Sequence, residues 1–213
     1  WAARNTNYGT APQNDGIGVP PYEALVNFLD NHDVPRFLSD AAGDVAALRN
    51  ALTLLMTEDG IPCIYYGTEQ EFAGANDPAN REVLWNTGFT RANDTFQHFS
   101  KLARLRKTYP ALSKGDTNVV WASSHTGGEE DAGIIAYERT GGDAGNQYAL
   151  VVINTNNNKD SSTANGDAIM KLSTTCTLSF WLGPEQERFD VDGAGEVRIT
   201  VPKQRARILV PAN

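Results

Sequence analysis

The sequence has few cysteines, an excess of acidic over basic residues and no long apolar run, and each shortage excludes a class of protein. Two cysteines in 213 residues, Cys63 and Cys176, are too few for a disulfide framework or a metal site. Cys63 lies in an apolar, strand-like run, which predicts a buried structural thiol; a Cys63–Cys176 bridge stays open. No run approaches the length that crosses a bilayer. The net charge of −8 argues against a nucleic-acid or anionic-membrane partner.

The composition fits a soluble globular protein, with 40% hydrophobic and 21% charged residues. The length suits one large domain or two small ones. Residues 1–7 contain neither an initiator methionine nor a signal-peptide pattern. We therefore expect the chain to be part of a longer protein.

A short apolar run at residues 24–30 ends in a dense polar cluster of Asp30, Asn31, His32 and Asp33. Buried parallel strands read as near-continuous apolar runs. Polar residues at the carboxyl ends of such strands commonly carry chemistry. The run therefore predicts a strand with a candidate site at its end, and the alternative is a polar turn that only closes the strand.

The remainder of the first 112 residues predicts alternating helices and strands. We expect a loop over 1–21, a helix over 45–57 capped by Asp44, a strand over 61–66, a long loop over 67–94, and a helix over 95–107 that is capped by Asp94 and ended by Pro110. This order is typical of parallel βα units. Two parallel strands alone would leave unpaired edges, and a full barrel takes eight strands in about 250 residues. We therefore predict the end of a larger barrel.

From about residue 113 the pattern changes to that of an all-β domain. Short β-type runs lie at 118–122, 133–139, 147–154, 177–182, 196–201 and 206–210, separated by glycine- and asparagine-rich turns. Such spacing predicts an antiparallel sandwich of about 100 residues. The expected fold class is α/β plus all-β, with domains at 1–112 and 113–213.

Three segments resemble, in order and spacing, signature motifs of the α-amylase family of glycoside hydrolases. Phe28-Leu-Asp-Asn-His-Asp33 resembles the motif that ends the family's seventh barrel strand. Gly60-Ile-Pro-Cys-Ile-Tyr-Tyr-Gly-Thr-Glu-Gln70 resembles the eighth-strand motif. Phe72-Ala-Gly-Ala-Asn-Asp-Pro-Ala-Asn-Arg81 resembles the next loop of fungal-type α-amylases and cyclodextrin glucanotransferases. The resemblance implies the last two βα units of a TIM barrel, followed by the family's Greek-key β-sandwich, domain C.

The resemblance also implies roles for four residues. The family cleaves α-glucosidic bonds with retention, using two carboxyl groups that flank the bond. Asp33 matches a third carboxylate, whose charge would favour the developing oxocarbenium ion. His32 matches a histidine that hydrogen-bonds sugar hydroxyls at the cleavage subsite. Asp77 and Arg81 match a pair that binds glucose units on the non-reducing side, although a salt bridge that staples the loop is equally compatible with the residues.

The neighbours of these residues have simpler interpretations. We interpret Asp30 as structural and Asn31 as orienting its neighbours. Arg36 is open to both roles, with structure favoured. Tyr65 and Tyr66 are interpreted as packing residues rather than as platforms for sugar rings.

The family's nucleophile and acid/base precede these motifs, and this sequence has no counterpart for either. Asp15 and Glu23 do not lie in the expected strand-end motifs. We therefore expect the chain to be catalytically incomplete by itself and to need the upstream part of the same barrel. No metal site is expected here, because the family's calcium ligands lie mainly upstream. The resemblance further implies an α-glucan substrate and an extracellular, secreted enzyme.

The expected parent activity is α-amylase-like hydrolysis of α-1,4-glucan. The alternative within the family is a cyclodextrin glucanotransferase; the short chain after domain C favours the amylase, because the transferases usually carry further domains. The alternative of another class is a non-catalytic carbohydrate-binding module, in which Trp121 and Trp181 would stack on sugars. Both tryptophans lie in strand-like runs, which favours positions in the core.

Overall fold

The computed structural model describes residues 3–143, 145, 147–181 and 187–212. The helices are α1 (Arg4–Tyr8), α2 (Phe37–Asp40), α3 (Val45–Thr57), α4 (Asp94–Thr108) and α5 (Pro110–Lys114). The strands are β1 (Val26–Asn27), β2 (Ile61–Pro62), β3 (Asp116–Ala122), β4 (Ile134–Thr140), β5 (Tyr148–Asn154), β6 (Ser161–Ser162), β7 (Ala164–Asn165), β8 (Ala168–Ile169), β9 (Leu178–Phe180), β10 (Arg188–Phe189), β11 (Thr200–Val201) and β12 (Arg205–Pro211). Short 3-10 turns cover Pro21–Glu23, Thr68–Gln70 and Leu84–Thr87. Within these described ranges, no helix is both long enough and apolar enough to cross a membrane.

Strands β1 and β2 pair in parallel, and helix α3 lies between them in sequence. The predicted cap of α3 is confirmed, because Asp44 Oδ1 accepts hydrogen bonds from the backbone N–H groups of Ala46 and Ala47 at 2.9 and 3.0 Å. After α3 the chain enters β2 through Gly60, which has a φ of +86°. A Cβ at this position would lie 2.6 Å from the carbonyl oxygen of Leu25, so the close approach to β1 requires glycine.

Both parallel strands are shorter and more exposed than the sequence predicts. The runs 24–30 and 61–66 form strands only at β1 and β2. Phe28 and Ile61 are 50% and 51% exposed, because within the described residues β1 and β2 pair only with each other. The prediction of a buried Cys63 is wrong for the same reason: its side chain is exposed. Both cysteines are free, so the bridge that the sequence left open is not formed.

The other helices also differ from the prediction. The cap of α4 is Asn93 and not Asp94, since Asn93 Oδ1 accepts from the N–H of Phe96 at 2.6 Å. Pro110 does not only end α4; it is the first residue of α5, where a missing N–H costs nothing. Residues 4–8 form a short helix inside the predicted N-terminal loop.

The antiparallel pattern predicted for the second half is confirmed. Six strands form one sheet in the order β10-β9-β12-β5-β4-β3, with antiparallel pairing throughout. Two small pairs, β6–β11 and β7–β8, lie outside this sheet. The predicted strand at 177–182 is observed at β9, and its last residue, Leu182, lies outside the described residues. The predicted strand at 196–201 is reduced to β11.

The large sheet is buried on both faces by alternating side chains. Tyr137 and Val151 pack against helices α3 and α4 in one apolar cluster. Ala136 and Val152, their neighbours in sequence, belong to a second cluster with residues of the short strands and connecting segments. The sheet is therefore the middle of three layers, with helices on one side and β-structure on the other.

Two arginines, the partly buried Arg106 of α4 and the buried Arg139 of β4, hold the end of α3. Arg106 donates to the carbonyl groups of Met56, Glu58 and Gly60 at 2.7–3.1 Å, which satisfies the free carbonyl groups after α3. Arg139, on β4, donates to the carbonyl of Thr57 at 2.6 Å. The end of α3, and hence the start of β2, is fixed by these contacts.

Candidate active site

The polar cluster after β1 divides into a buried half and an exposed half. Asp30 is buried; its Oδ2 accepts from the N–H of Phe37 at 3.0 Å, and its Oδ1 accepts from the hydroxyl of Thr68 at 2.9 Å. This confirms the structural interpretation of Asp30, which ties the end of β1 to the turn after β2. Asn31 Oδ1 accepts from the N–H of Asp33 at 2.7 Å and so orients its neighbour, as predicted.

His32 and Asp33 present their side chains to solvent. His32 Nε2 lies 3.4 Å from Asp33 Oδ2, and the two side chains are 59% and 70% exposed. The carboxylate is therefore available as a hydrogen-bond acceptor and as a fixed negative charge. The neighbouring imidazole offers a second polar group. These two exposed side chains form the rim of the candidate site.

The loop after β2 carries the Asp77–Arg81 pair to this rim. Arg81 Nε lies 2.8 Å from Asp77 Oδ1, which forms the salt bridge that the sequence left open. Arg81 Nη2 lies 3.5 Å from the carbonyl oxygen of His32, so the two motifs meet. The loop folds back on itself at Gly74, where a Cβ would come within 1.9 Å of the carbonyl oxygen of Ala79.

Asn80 connects the same two motifs from below. Its side chain is buried, and Nδ2 lies 2.8, 3.0 and 3.4 Å from the carbonyl oxygens of Val34, His32 and Asn31. No role for Asn80 follows from the sequence, because a sequence does not indicate which polar residue of a long loop is buried.

Arg36 lies beneath the rim in a cage of aromatic rings. Its guanidinium carbon is 4.0, 5.0 and 5.3 Å from the ring centroids of Tyr65, Tyr66 and Phe72, within the range of cation–π attraction. Arg36 Nε lies 3.4 Å from Glu82 Oε2. The buried guanidinium supports the structural interpretation of Arg36, and it packs on the rings of both tyrosines. Glu82, like Asn80, was not singled out by the sequence.

A cavity of about 550 Å³ lies elsewhere, between α3 and the large sheet. Its walls include Ala47, Ala51, Leu54 and Ile153, and among the described residues that line it only Glu58 is charged. Burial raises the pKa of Glu58, although Arg106 lies near enough to oppose this effect. The rim around Asp33 is the better candidate for a sugar site, because it brings carboxylate, imidazole and guanidinium groups together at the surface.

Within the described parts of the chain, no three His, Cys, Asp or Glu side chains converge as metal ligands. His32 and Asp33 are adjacent, but no third such side chain of the described residues joins them. These residues do not fit a calcium site, which needs six to eight oxygen ligands. The expectation that calcium binds mainly through residues outside this chain stays a prediction.

Residues 18–93 match the family profile of the α-amylase catalytic domain. The matched range contains all four predicted site residues. The chain belongs to the α-amylase family. What it shares with that family is the C-terminal portion, as its motifs predict.

Individual relatives agree with this membership. A cyclomaltodextrin glucanotransferase of Bacillus sp. (strain 1011) is 40% identical over 137 residues, which are 64% of this chain and 17% of the relative. An uncharacterized glycosyl hydrolase of Schizosaccharomyces pombe is 30% identical over 190 residues, or 87% of this chain and 36% of the relative. The crystal structure of a γ-cyclodextrin glucanotransferase from Bacillus clarkii superposes with a TM-score of 0.73 and 26% identity; the match covers all of this chain and 28% of that one. The chain thus spans between about a sixth and a third of these proteins.

Proposed function

We propose that this chain forms the C-terminal part of the active site in a retaining α-amylase-type enzyme that hydrolyses α-1,4-glucan. The observation that carries the proposal is the meeting of two motifs at one rim. Asp33 and His32 are exposed there, and the Arg81–Asp77 pair lies beside the backbone of His32. Carboxylate, imidazole and guanidinium groups together can accept from and donate to the hydroxyl groups of a glucose ring.

Each group has a place in the reaction. In retaining cleavage one carboxylate attacks the anomeric carbon while a carboxylic acid protonates the leaving oxygen, and water then releases the sugar from the enzyme. Asp33 serves as the third carboxylate: it accepts hydrogen bonds from ring hydroxyls, and its charge stabilises the oxocarbenium-like transition state. His32 binds hydroxyls at the same subsite. Arg81 and Asp77 bind the glucose units on the non-reducing side.

The attacking carboxylate and the proton donor belong, in this proposal, to parts of the enzyme outside this chain. β1 and β2 are then the seventh and eighth strands of a β/α barrel, and the upstream barrel strands cover Phe28 and Ile61. The exposure of these two side chains supports that arrangement, because soluble proteins seldom leave an unpaired strand edge and apolar side chains uncovered together. The large sheet and its short-stranded layer form the Greek-key domain C. A calcium ion held upstream and a secreted location belong to the same proposal.

A second candidate activity is transfer of the glucosyl chain to another sugar. It is favoured by the names of the relatives, since the Bacillus proteins are cyclomaltodextrin glucanotransferases. Hydrolysis and transfer share the covalent intermediate and differ in whether water or a sugar hydroxyl attacks it. The residues of the rim serve both.

The binding-module alternative finds less support. Trp121 packs against the cluster inside the β-layers, and Trp181 packs against the cluster beneath the helices. Neither ring forms an open platform for a sugar.

The test uses the full enzyme that contains this chain and soluble starch. Proton NMR of the first products should show the α-anomer, and chromatography should show linear maltooligosaccharides. Cyclic products would show that the activity is glucosyl transfer and not hydrolysis. A β-anomeric first product, or no cleavage of starch, would contradict the proposal.

A further inference from the structure

We propose that Asn80 is a positioning residue that fixes Asp33 relative to the Arg81–Asp77 pair. The inference rests on the proposed function, because it names what holds that site in register. Asn80 does not reach the rim itself. It acts through the backbone on which the sugar-binding groups are mounted.

The side chain of Asn80 holds the backbone on both sides of Asp33. Nδ2 lies 3.0 Å from the carbonyl oxygen of His32, the residue before Asp33, and 2.8 Å from that of Val34, the residue after it. The carbonyl of Asn31 is a third, longer contact at 3.4 Å. The turn that carries Asp33 is therefore held from two directions.

The chemistry of the contact selects an amide nitrogen. An NH₂ group has two hydrogens, so the two short contacts are direct hydrogen bonds and the third is shared. All three partners are acceptors, and the opposite orientation of the amide would place Oδ1 against three carbonyl oxygens. An aspartate at position 80 would meet the same repulsion. Asparagine is thus suited to this position by its donor hydrogens and not only by its size.

Burial shows that these contacts outweigh a cost. Asn80 is 0% exposed, and within the described residues its Oδ1 is buried without a hydrogen-bond partner. Leaving a buried acceptor unsatisfied is unfavourable. A residue held under that penalty for its two donor hydrogens is engaged in fixing its partners.

The position of Asn80 in the chain completes the argument. The next residue, Arg81, forms the salt bridge with Asp77 and approaches the carbonyl of His32. The side chain of Asn80 therefore holds the turn that carries Asp33 against the loop that carries Arg81, beside the backbone hydrogen bond from Arg36 to the carbonyl oxygen of Gly74 at 3.0 Å. Displacement of catalytic groups by about 1 Å can reduce turnover by roughly a hundredfold.

The chain contains a matched control in Asn154. This residue is also 0% exposed, and its Nδ2 donates toward three carbonyl oxygens, those of Val201, Lys159 and Pro202, at 2.9, 3.1 and 3.3 Å. It lies on β5, in the large sheet. Asn154→Ala removes the same kind of contact away from the rim.

The first measurement is hydrogen exchange of the 213-residue chain. Asn80→Ala should speed exchange of the hydrogen-bonded backbone amides of Asp33 and Arg36 at least tenfold. Asn154→Ala should leave these two amides unchanged and speed exchange at Asn156, whose amide donates to Asn154 Oδ1. Unchanged exchange at Asp33 and Arg36 in Asn80→Ala would overturn the proposal, whatever the enzyme does. Asn80→Ser, which keeps one donor, should give a smaller change and guards against an Asn80→Ala variant that fails to fold.

The second measurement is steady-state kinetics of the full enzyme on maltooligosaccharides. Asn80→Ala should lower kcat/KM by roughly tenfold to a hundredfold per folded molecule, and Asn154→Ala should leave it within about twofold. In an Arg81→Ala background the loss from Asn80→Ala should shrink, because the two residues act together. Faster exchange with unchanged kcat/KM would overturn the positioning role. A failure of the proposed function would appear separately, as an Asp33→Asn variant with full turnover.

Discussion

The large antiparallel sheet and the parallel pair β1–β2 are stabilised in different ways. In the large antiparallel sheet both faces are covered, and side chains such as Ile208 are fully buried. In the parallel pair β1–β2 the apolar residues Val26 and Ile61 are about half exposed. The loops beyond the parallel pair are instead fixed by buried polar side chains, Asp30, Arg36 and Asn80.

This difference teaches which interactions hold a site in place. Apolar burial is not directional, so it stabilises a layer without fixing a particular carboxylate. Hydrogen bonds have defined lengths and angles. The candidate site is held in position by hydrogen bonds, and the large sheet supplies most of the apolar burial that stabilises the chain.

The largest expected effect on stability is at the joint between helices and sheet. Arg139→Met removes the buried guanidinium from the carbonyls of Thr57 and Gly115 and from Asp59, 3.2 Å away. Breaking a buried ion pair on one side should lower the free energy of unfolding by about 3–5 kcal/mol. Urea denaturation of the 213-residue chain measures it.

The same substitution at an exposed arginine is the control. Arg198 pairs with Glu130 at the surface, and Arg198→Met should cost less than about 1 kcal/mol. Equal losses for the two variants would show that Arg139 does not join the layers.

The same substitution at two isoleucines compares the large sheet with the parallel pair β1–β2. Ile208→Thr buries a hydroxyl group in a filled core and should cost about 2 kcal/mol or more in the 213-residue chain. Ile61→Thr, on the exposed edge of β2, should cost about 0.5 kcal/mol or less.

The comparison becomes sharper in the full enzyme. If upstream strands cover β1 and β2, Ile61→Thr should become several times more costly there, while Ile208→Thr should not change. An Ile61→Thr cost that is the same in both proteins would refute the covered edge.

The smallest expected effect is a pair of opposite pH dependences. Burial lowers the pKa of His98 from 6.5 to about 4, and the nearby cations Arg49, Lys101 and Arg205 act in the same direction, against a hydrogen bond with the Arg49 carbonyl. The unfolded chain therefore binds more protons between pH 4 and 6.5, and stability falls as the pH falls through this window. His98→Asn should remove about 1–3 kcal/mol of that fall, measured as the difference between the denaturation curves of the two proteins.

His125 in the second half should behave in the opposite sense. Its hydrogen bond to Asp131, 2.7 Å away, raises the pKa of His125, and the charges of Asp131 and Glu129 add to this. The stability that protonated His125 contributes is therefore present at low pH and is lost as the pH rises through its raised pKa. If His125→Asn and His98→Asn changed the pH dependence in the same direction, this account of the two histidines would be wrong.

The sequence predicted the local elements better than their surroundings. Helix α3 and its cap at Asp44 followed from apolar spacing and one capping residue, and both are local signals. The exposure of Cys63 did not follow, because an apolar run indicates burial only when other strands are present to cover it. The cap of α4 was misplaced by one residue because Asn93 and Asp94 are both good caps.

The candidate site shows the same division. Asp33, His32, Asp77 and Arg81 were found through motifs, and the structure brings them to one rim. Asn80 and Glu82 were missed, because their roles depend on contacts between segments nearly fifty residues apart. Such contacts leave no periodic signal in a single sequence.

The claim that Asp33 belongs to the sugar-cleaving site is tested most directly by measuring kcat on starch for the Asp33→Asn variant of the full enzyme. The substitution keeps the shape of an exposed side chain and removes its charge, so the melting temperature should stay within about 2 °C of the wild type. We predict that kcat falls by roughly two to four orders of magnitude, since a fixed anion near the oxocarbenium ion is lost. Near-normal kcat in a folded Asp33→Asn enzyme would contradict the assignment of this rim as the sugar-cleaving site.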